Sequence, residues 1–414
     1  MLMRHVGKFL EKSLYCGSVW KRWGQRQVYS KYRYTGLSYQ QARSTVRYKM
    51  AENNNGVDPA FHHKAWTICH DYLGPPWKEV PEKEFIIETL PGGLSNYLYV
   101  CTVPDKYVVK GVPRKVLMRI YGEILSDVPT VIQDSVIYSI LSEKKMAPQM
   151  RGIFDGGRLE EFKESRTLNT SDLSNPTLSA IIGRKMARLH KLEMPLCKEP
   201  KWLTDHLKSY LSNILNNISF KEEPKSKQLK KLLSYNLEAE LQFILRLIED
   251  THSPVVFCHN DMQEGNILVD DQDGATPTDD RVTVIDYEYS AYNYRGFDFA
   301  NHFCEWAMDY CSVNTPVWPY FSVDTTAWPS RKQQLHFIDA YLAESGEVSA
   351  DREAILQEVE RFALVSHYWW GLWAIAQAYM SHISFGFLEY AQARFDWYFQ
   401  MKKNLTCNRK HAGL

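Results

Sequence analysis

The sequence predicts an α+β protein of two lobes, a small antiparallel sheet with one helix followed by a larger, mainly helical part. Three observations carry this expectation. At 414 residues the chain is longer than one compact core usually holds, so a second lobe is expected. Between residues 84 and 121, short runs rich in Ile, Val, Tyr and Leu have strand length, and a Gly-rich turn joins the first two. After Asn175 the spacing changes, and apolar residues recur three and four apart.

The elements follow in order. Residues 1–58 form a basic head whose first fifty positions hold eleven Lys/Arg and a single acid, Glu11. Such a composition fits a disordered arm or a mitochondrial presequence; with no apolar h-region for secretion, a cytoplasmic location is expected, mitochondrial if the head is a presequence. The polar, Gly- and Pro-bearing stretch 51–59 sets the start of the folded part near Pro59. Phe61–Tyr72 suits a short helix, and Glu84–Leu90, Tyr97–Val103 and Val116–Tyr121 read as strands. Val131–Lys145 reads as a helix and Ile153–Phe162 as strand and connection, which bounds a first lobe at 59–162 and a second at 163–414. In the second lobe Leu178, Ile181, Ile182, Met186 and Leu189 share one helical stripe, and Leu229 to Ile248 another. Asn266–Val269 and Val282–Asp286 form a short β segment around an acidic turn, and the chain beyond Asp298 leans helical and aromatic.

Composition narrows the function. Apolar residues make up 44% and charged residues 24%, an ordinary soluble balance. Net charge is zero, but outside residues 1–50, 38 bases face 48 acids, which gives no sign of nucleic-acid binding. Eight cysteines without a CxxC pair read as reduced, mostly buried thiols. Phe362–Met380 is the most apolar stretch, yet it is short and carries Ser366, His367 and Gln377, so a core helix is expected rather than a membrane span. His62-His63 lacks a ligand cluster, and neither a G-x-S-x-G elbow nor a Walker loop is present.

The sharpest chemical signal is His259-Asn260-Asp261-Met262-Gln263-Glu264-Gly265-Asn266, running into an apolar strand. Phosphoryl transfer needs a carboxylate to orient the attacking hydroxyl and, a few residues on, an amide oxygen for magnesium; Asp261 and Asn266 have that spacing. About twenty residues later Val284-Ile285-Asp286-Tyr287-Glu288 ends a strand with two acids, where a carboxylate can bridge phosphates through magnesium. Either segment alone is moderate evidence; their order and spacing together point to a kinase.

These motifs, with "VIDYEYSAYNYRGFDFANHFCEW", "GGLSN", "KVLMRIYG", "GRLEEF" and "FALVSHYWWGLWAIAQA", resemble the choline/ethanolamine kinase family over residues 84–403. The resemblance implies a protein-kinase-like fold, ATP and magnesium, a small amino-alcohol as substrate, and a homodimer. It makes Asp261 the catalytic base and Asn266 and Asp286 the magnesium ligands, with Gln263 near the nucleotide. Arg119 takes the place of the strand lysine that meets ATP phosphates, with Glu143 as a candidate partner. Gly92, Gly93, Leu94, Ser95 and Asn96 would form the loop over the phosphates. Gly156, Gly157, Arg158, Leu159, Glu160, Glu161 and Phe162 match the connection between lobes, where backbone groups meet adenine.

A quaternary ammonium cannot donate a hydrogen bond, so ring faces and carboxylates must hold it. The resemblance selects Glu305, Tyr310, Trp370, Trp373, Phe385 and Tyr390 for this cage, with Glu288 nearby, and leaves Trp306 and Trp369 as packing residues. Many aromatics favour choline; ethanolamine or an aminoglycoside-like amine, and a catalytically dead scaffold, are the alternatives.

Overall fold

A computed structural model describes residues 57–90, 96–121, 128–271, 274–310, 317–381 and 383–411. The basic head expected over residues 1–58 therefore lies, up to residue 56, outside the described residues, as do Gly92, Gly93, Leu94 and Ser95.

The small lobe begins with helix α1 (Pro59–Tyr72), which has proline in its first turn, where no intrahelical N–H is required. Strands β1 (Ile86–Leu90), β2 (Asn96–Thr102) and β3 (Lys115–Tyr121) come next, followed by α2 (Val128–Glu143), β4 (Met150–Phe154) and β5 (Gly157–Glu161). The five strands form one sheet in the order β1-β2-β3-β5-β4, antiparallel throughout. α1 covers it, burying Phe61, Ala65, Ile68 and Cys69 with Tyr99, Cys101, Met118 and Leu159 of the strands. Trp66 Nε1 donates to Val80 O at 2.9 Å, which ties the helix to the segment entering β1.

One reading of this lobe is corrected. Gly157–Glu161 is not a connection but a strand paired residue by residue with β3, so the chain leaves the sheet only after Glu161. The helix expected in the small lobe is present and also buries Ile137, Tyr138 and Leu141 in the larger core. Its apolar stripe faces the helices because the sheet side is taken by charged partners, described below.

The larger lobe starts at β6 (Arg166–Thr167) and α3 (Thr170–Leu173). It continues through α4 (Pro176–His190), α5 (Lys201–Asn217), α6 (Lys225–Leu233) and α7 (Leu237–Glu249). Short strands β7 (Val255–Cys258), β8 (Ile267–Val269), β9 (Val282–Val284) and β10 (Ala291–Tyr294) follow, then α8 (Arg295–Glu305). The small pair β11 (Met308–Asp309) and β12 (Ser322–Val323) precedes α9 (Arg331–Ser345), α10 (Arg352–Met380) and α11 (Phe387–His411). β7 pairs with β10 and β8 with β6 and β9, so the loop between β7 and β8 is held at both ends by sheet. All eleven residues of α8 are buried, its polar stripe Arg295, Asp298, His302 and Glu305 included, and α10 is buried from Phe362 to Gln377. No described helix is long and apolar enough to cross a membrane. The five cysteines whose side chains are described are free thiols, four of them buried.

β5 lies so close to β3 that a Cβ on Gly157 would sit 2.1 Å from the Arg119 carbonyl oxygen and 2.8 Å from the Phe154 ring. Gly157→Ala therefore forces the strands apart and is expected to cost about 1–3 kcal/mol. The check is the urea unfolding midpoint, which falls at unchanged slope; an unaltered midpoint would rule out this register.

Candidate active site

The loop from Cys258 to Asn266 takes its shape from one buried carboxylate. Asp298, in the first turn of α8, accepts the backbone N–H of His259 on Oδ2 at 2.7 Å and that of Asn260 on Oδ1 at 2.6 Å. Burial alone would push this carboxyl up; His190, at 3.0 Å, His259 and the amides outweigh it and hold it below its ordinary value. Asn260 adopts a left-handed backbone (φ 69°), which asparagine tolerates, and its side chain donates to Tyr289 O and accepts from Asn293. His259 accepts from the Asp261 N–H at Nδ1, so Nε2 carries the hydrogen donated to Ile285 O at 3.0 Å. Burial holds the ring below its ordinary value, in keeping with this neutral role as a bridge between the loops bearing Asp261 and Asp286.

Asp261 and Asn266 come together as expected. The Asn266 amide donates both to Asp261 O and to Asp261 Oδ2, each at 2.9 Å. With its N–H groups committed, the asparagine has its amide oxygen left as the coordinating atom, which suits a magnesium ligand. Asp286 follows β9 with φ 63° and meets Arg119 Nη1 at 3.5 Å. Burial first, then the Glu305, Asp286 and Glu288 carboxylates, push the Asp261 carboxyl well up, against the donation from Asn266. Asp261 thus sits among carboxylates of which Asp286 and Glu288 stay partly exposed, a donor set suited to a divalent metal or an ammonium. Gln263 caps the turn, its Oε1 accepting the Gly265 N–H at 2.8 Å.

Arg119 is no surface arginine: it is 3% exposed and its Nε lies 2.9 Å from Glu160 Oε1. Glu160 also accepts from Arg158 Nε at 2.7 Å and from the Tyr138 hydroxyl at 2.9 Å, while Arg158 pairs with Asp134. Burial would push the Glu160 carboxyl up, but the two guanidiniums hold it at about 2. The expected partner of Arg119, Glu143, is exposed at the end of α2; Glu160 takes that place, and the acid that α2 contributes is Asp134, to Arg158. Leu159 is buried in the sheet core, whereas Gly156 sits in the exposed turn before β5 with φ 86°. Glu161 accepts the Gln149 N–H, and Phe162 lies under Lys115 Nζ at 5.1 Å, both where the chain leaves the sheet. Asn96, the described residue of the expected phosphate loop, donates to Glu288 Oε2 at 3.1 Å and so joins β2 to the acidic loop after β9.

The structure gathers all the expected cage aromatics into one run. Ring centroids step from Tyr289 to Trp370 (5.9 Å), Trp373 (5.1 Å), Phe387 (5.8 Å), Phe385 (4.9 Å), Tyr390 (5.9 Å) and Tyr310 (6.1 Å). The indole N–H groups are committed: Trp370 donates to Asn301 Oδ1 at 2.7 Å and Trp373 to the Tyr289 hydroxyl at 3.2 Å. Their exposure, 6% and 8% against 0% for Trp369, leaves some ring surface accessible. Trp369 stacks on Trp202 at 5.2 Å and Trp306 donates to His302, so both are packing residues, as expected. Glu305 differs from expectation. It is 2% exposed, one oxygen pairs with buried Arg394 and the other accepts the Tyr310 hydroxyl at 2.8 Å. Arg394 Nε also donates to the Tyr390 hydroxyl at 2.9 Å. Glu305 therefore anchors the two tyrosines, and Glu288 is the cage carboxylate that remains half-exposed. Tyr289, Phe387 and Arg394 were not singled out from the sequence; only Tyr289 has a local cue, next to the Asp286–Glu288 acids.

The family profile described as choline/ethanolamine kinase matches residues 87–399. The mouse choline/ethanolamine kinase is 44% identical over 352 residues, covering 83% of this chain and 87% of that protein. Mouse choline kinase alpha is likewise 44% identical over 378 residues, covering 84% and 82%. Among solved structures, the choline kinase of Cryptosporidium parvum superimposes with a TM-score of 0.67 at 28% identity, over 84% of this chain and 96% of that one. A small antiparallel lobe joined to a larger helical one is thus the protein-kinase-like architecture of these enzymes, and the chain belongs to the choline/ethanolamine kinase family.

Proposed function

We propose that the protein transfers the γ-phosphoryl group of ATP to the hydroxyl of choline, and also of ethanolamine. The observation that carries this reading is the junction of two chemistries at one place. The carboxylate of Asp261, steered by Asn266, lies among Asp286, Glu288 and Glu305, and Tyr289 and Glu305 connect those acids to the run of aromatic rings.

Asp261 accepts the proton of the substrate hydroxyl and holds its oxygen in line for attack on the γ-phosphorus. Arg119, fixed by Glu160 through Nε and lying 3.5 Å from Asp286 through Nη1, would offer its guanidinium to phosphate oxygens. Magnesium, held by Asn266 and Asp286, would screen the charge of the phosphates. The rings bind the substrate's ammonium. Because the indole N–H groups of Trp370 and Trp373 are already bonded, they offer it π-faces rather than donors, which suits a quaternary ammonium. A primary amine, such as ethanolamine, gains in addition from the Glu288 carboxylate. The experiment is a panel of choline, ethanolamine and an aminoglycoside with magnesium-ATP; turnover on the aminoglycoside alone would overturn the assignment.

Two substitutions separate the chemistry from the binding. Asp261→Asn keeps the shape but cannot accept the proton, so kcat is expected to fall by roughly 10²–10⁴-fold with an unchanged melting temperature. Near-normal turnover would remove Asp261 from the mechanism. Trp373→Leu retains apolar bulk without the π-face, and a cation–π contact is worth about 0.5–2 kcal/mol. The KM for choline should rise roughly two- to thirty-fold, that for ethanolamine less, and that for ATP hardly at all. Equal losses for both amino-alcohols would make Trp373 a packing residue.

A further inference from the structure

A cavity of about 190 Å³ lies outside the site described above, and four of the residues that line it are basic: Lys144, Lys145, Lys185 and Arg188. Its floor includes Met262 and Tyr287, the neighbours in sequence of Asp261 and Asp286. The four cations are not equivalent. Arg188 is committed to acids, with Nε 2.9 Å from Glu344 and Nη2 2.7 Å from Asp279, and Asp279 also takes Arg184. Asp280 accepts the Thr278 hydroxyl at 2.6 Å. The three lysines make no salt bridge with any described residue.

Two of the lysines are placed by the backbone. Lys144 and Lys145 follow the last turn of α2, and Lys145 has φ 57°, a left-handed backbone that few residues with a side chain adopt. Lys185 comes from α4, where it is half-buried. Burial chiefly, and Arg188 and Arg184 with it, hold its ammonium below its ordinary value, against the attraction of Asp279 and Asp280. Two exposed lysines without a salt bridge to any described residue, and a third that only partly shares Asp279 and Asp280, give the concavity a positive local charge that suits an anion.

We infer that this cavity is a binding site for a phosphate-type anion, held by Lys144, Lys145 and Lys185. Compact lysine ammoniums suit a phosphate's charge as points rather than as a bidentate fork. The lining residues Met262 and Tyr287 adjoin the catalytic residues in sequence. The Tyr287 hydroxyl donates to Met146 O at 3.0 Å, on the lining, and the Met262 carbonyl accepts from His302 at 2.8 Å, so both are fixed contacts rather than loose ones.

The same chemistry could come from a free phosphomonoester or from an anionic lipid headgroup, and two arms distinguish them. The full chain, saturated with magnesium-ADP to fill the nucleotide's own phosphate positions, is titrated calorimetrically with inorganic phosphate. In parallel it is sedimented with phosphatidylcholine vesicles with and without phosphatidic acid. The Lys144→Ala/Lys185→Ala variant should bind the effective ligand roughly tenfold or more weakly, the loss of at least one charge-assisted hydrogen bond, and Lys185→Arg should keep it. Lys144→Glu, at an exposed position, makes the same test should the double variant fold poorly, which turnover on choline reports. Lysine-dependent phosphate binding supports the site with a free ligand, and lysine-dependent recruitment to phosphatidic acid alone supports it with a headgroup. No binding in either arm, or binding equal in wild type and variants, overturns it.

Discussion

The geometry of the site depends on Asp298 more than on any residue that touches a reactant. One carboxylate at the start of a wholly buried helix fixes two successive amides of the catalytic loop, and the left-handed turn at Asn260 follows from that. The turn puts the Asp261 carboxylate within reach of the Asn266 amide. Because α8 is packed on all sides, Asp298 has no freedom to follow the loop; the loop follows it. His190, on a different helix, holds the anion from behind, which keeps it charged at full burial. A protonated Asp298 would lose an acceptor oxygen, and a buried backbone N–H would go without its partner, a penalty of about 1–3 kcal/mol.

Electrostatics then divides the site into two kinds of carboxylate. Glu160 and Glu305 are matched by guanidiniums from the protein itself and act as fixed supports, one under Arg119 and one under the tyrosines. Asp261 has no guanidinium partner among the described residues, and its repulsion by the neighbouring carboxylates is what a metal ion and an ammonium substrate would relieve. Buried pairs of the first kind add little net stability, since desolvation takes back most of the attraction. What they supply is a single geometry for the side chains around them.

The catalytic part of this arrangement was legible in the sequence because chemistry sets its spacing: Asp261 and Asn266 belong to one loop, and Asp286 ends the next strand. The expected strands and helices also appeared within a few residues of their positions, since period-2 and helical patterns are local. What escaped was everything whose meaning is set at long range. Arg394 gave no signal, because its role is defined by a carboxylate 89 residues away. The mixed-charge run at Glu143 and the apolar surroundings of Asp134 hid which acid of α2 is buried, and Arg158 and Glu160 looked like ordinary loop charges until β5 was seen to lie between β3 and β4. The pairing of β7 with β10 left no mark either, since two four-residue strands separated by the whole catalytic loop carry no turn signal.

α2 belongs to both lobes at once: its apolar stripe lies in the larger core, while Asp134 and Tyr138 hold Arg158 and Glu160 of the sheet. The helix thus ties the two lobes together through buried polar contacts. Parting the sheet from α2 would take Arg158 from Asp134 and the Tyr138 hydroxyl from Glu160, although Glu160 would keep Arg119 and Arg158. Opening of the sheet is therefore coupled to the larger core through this one helix.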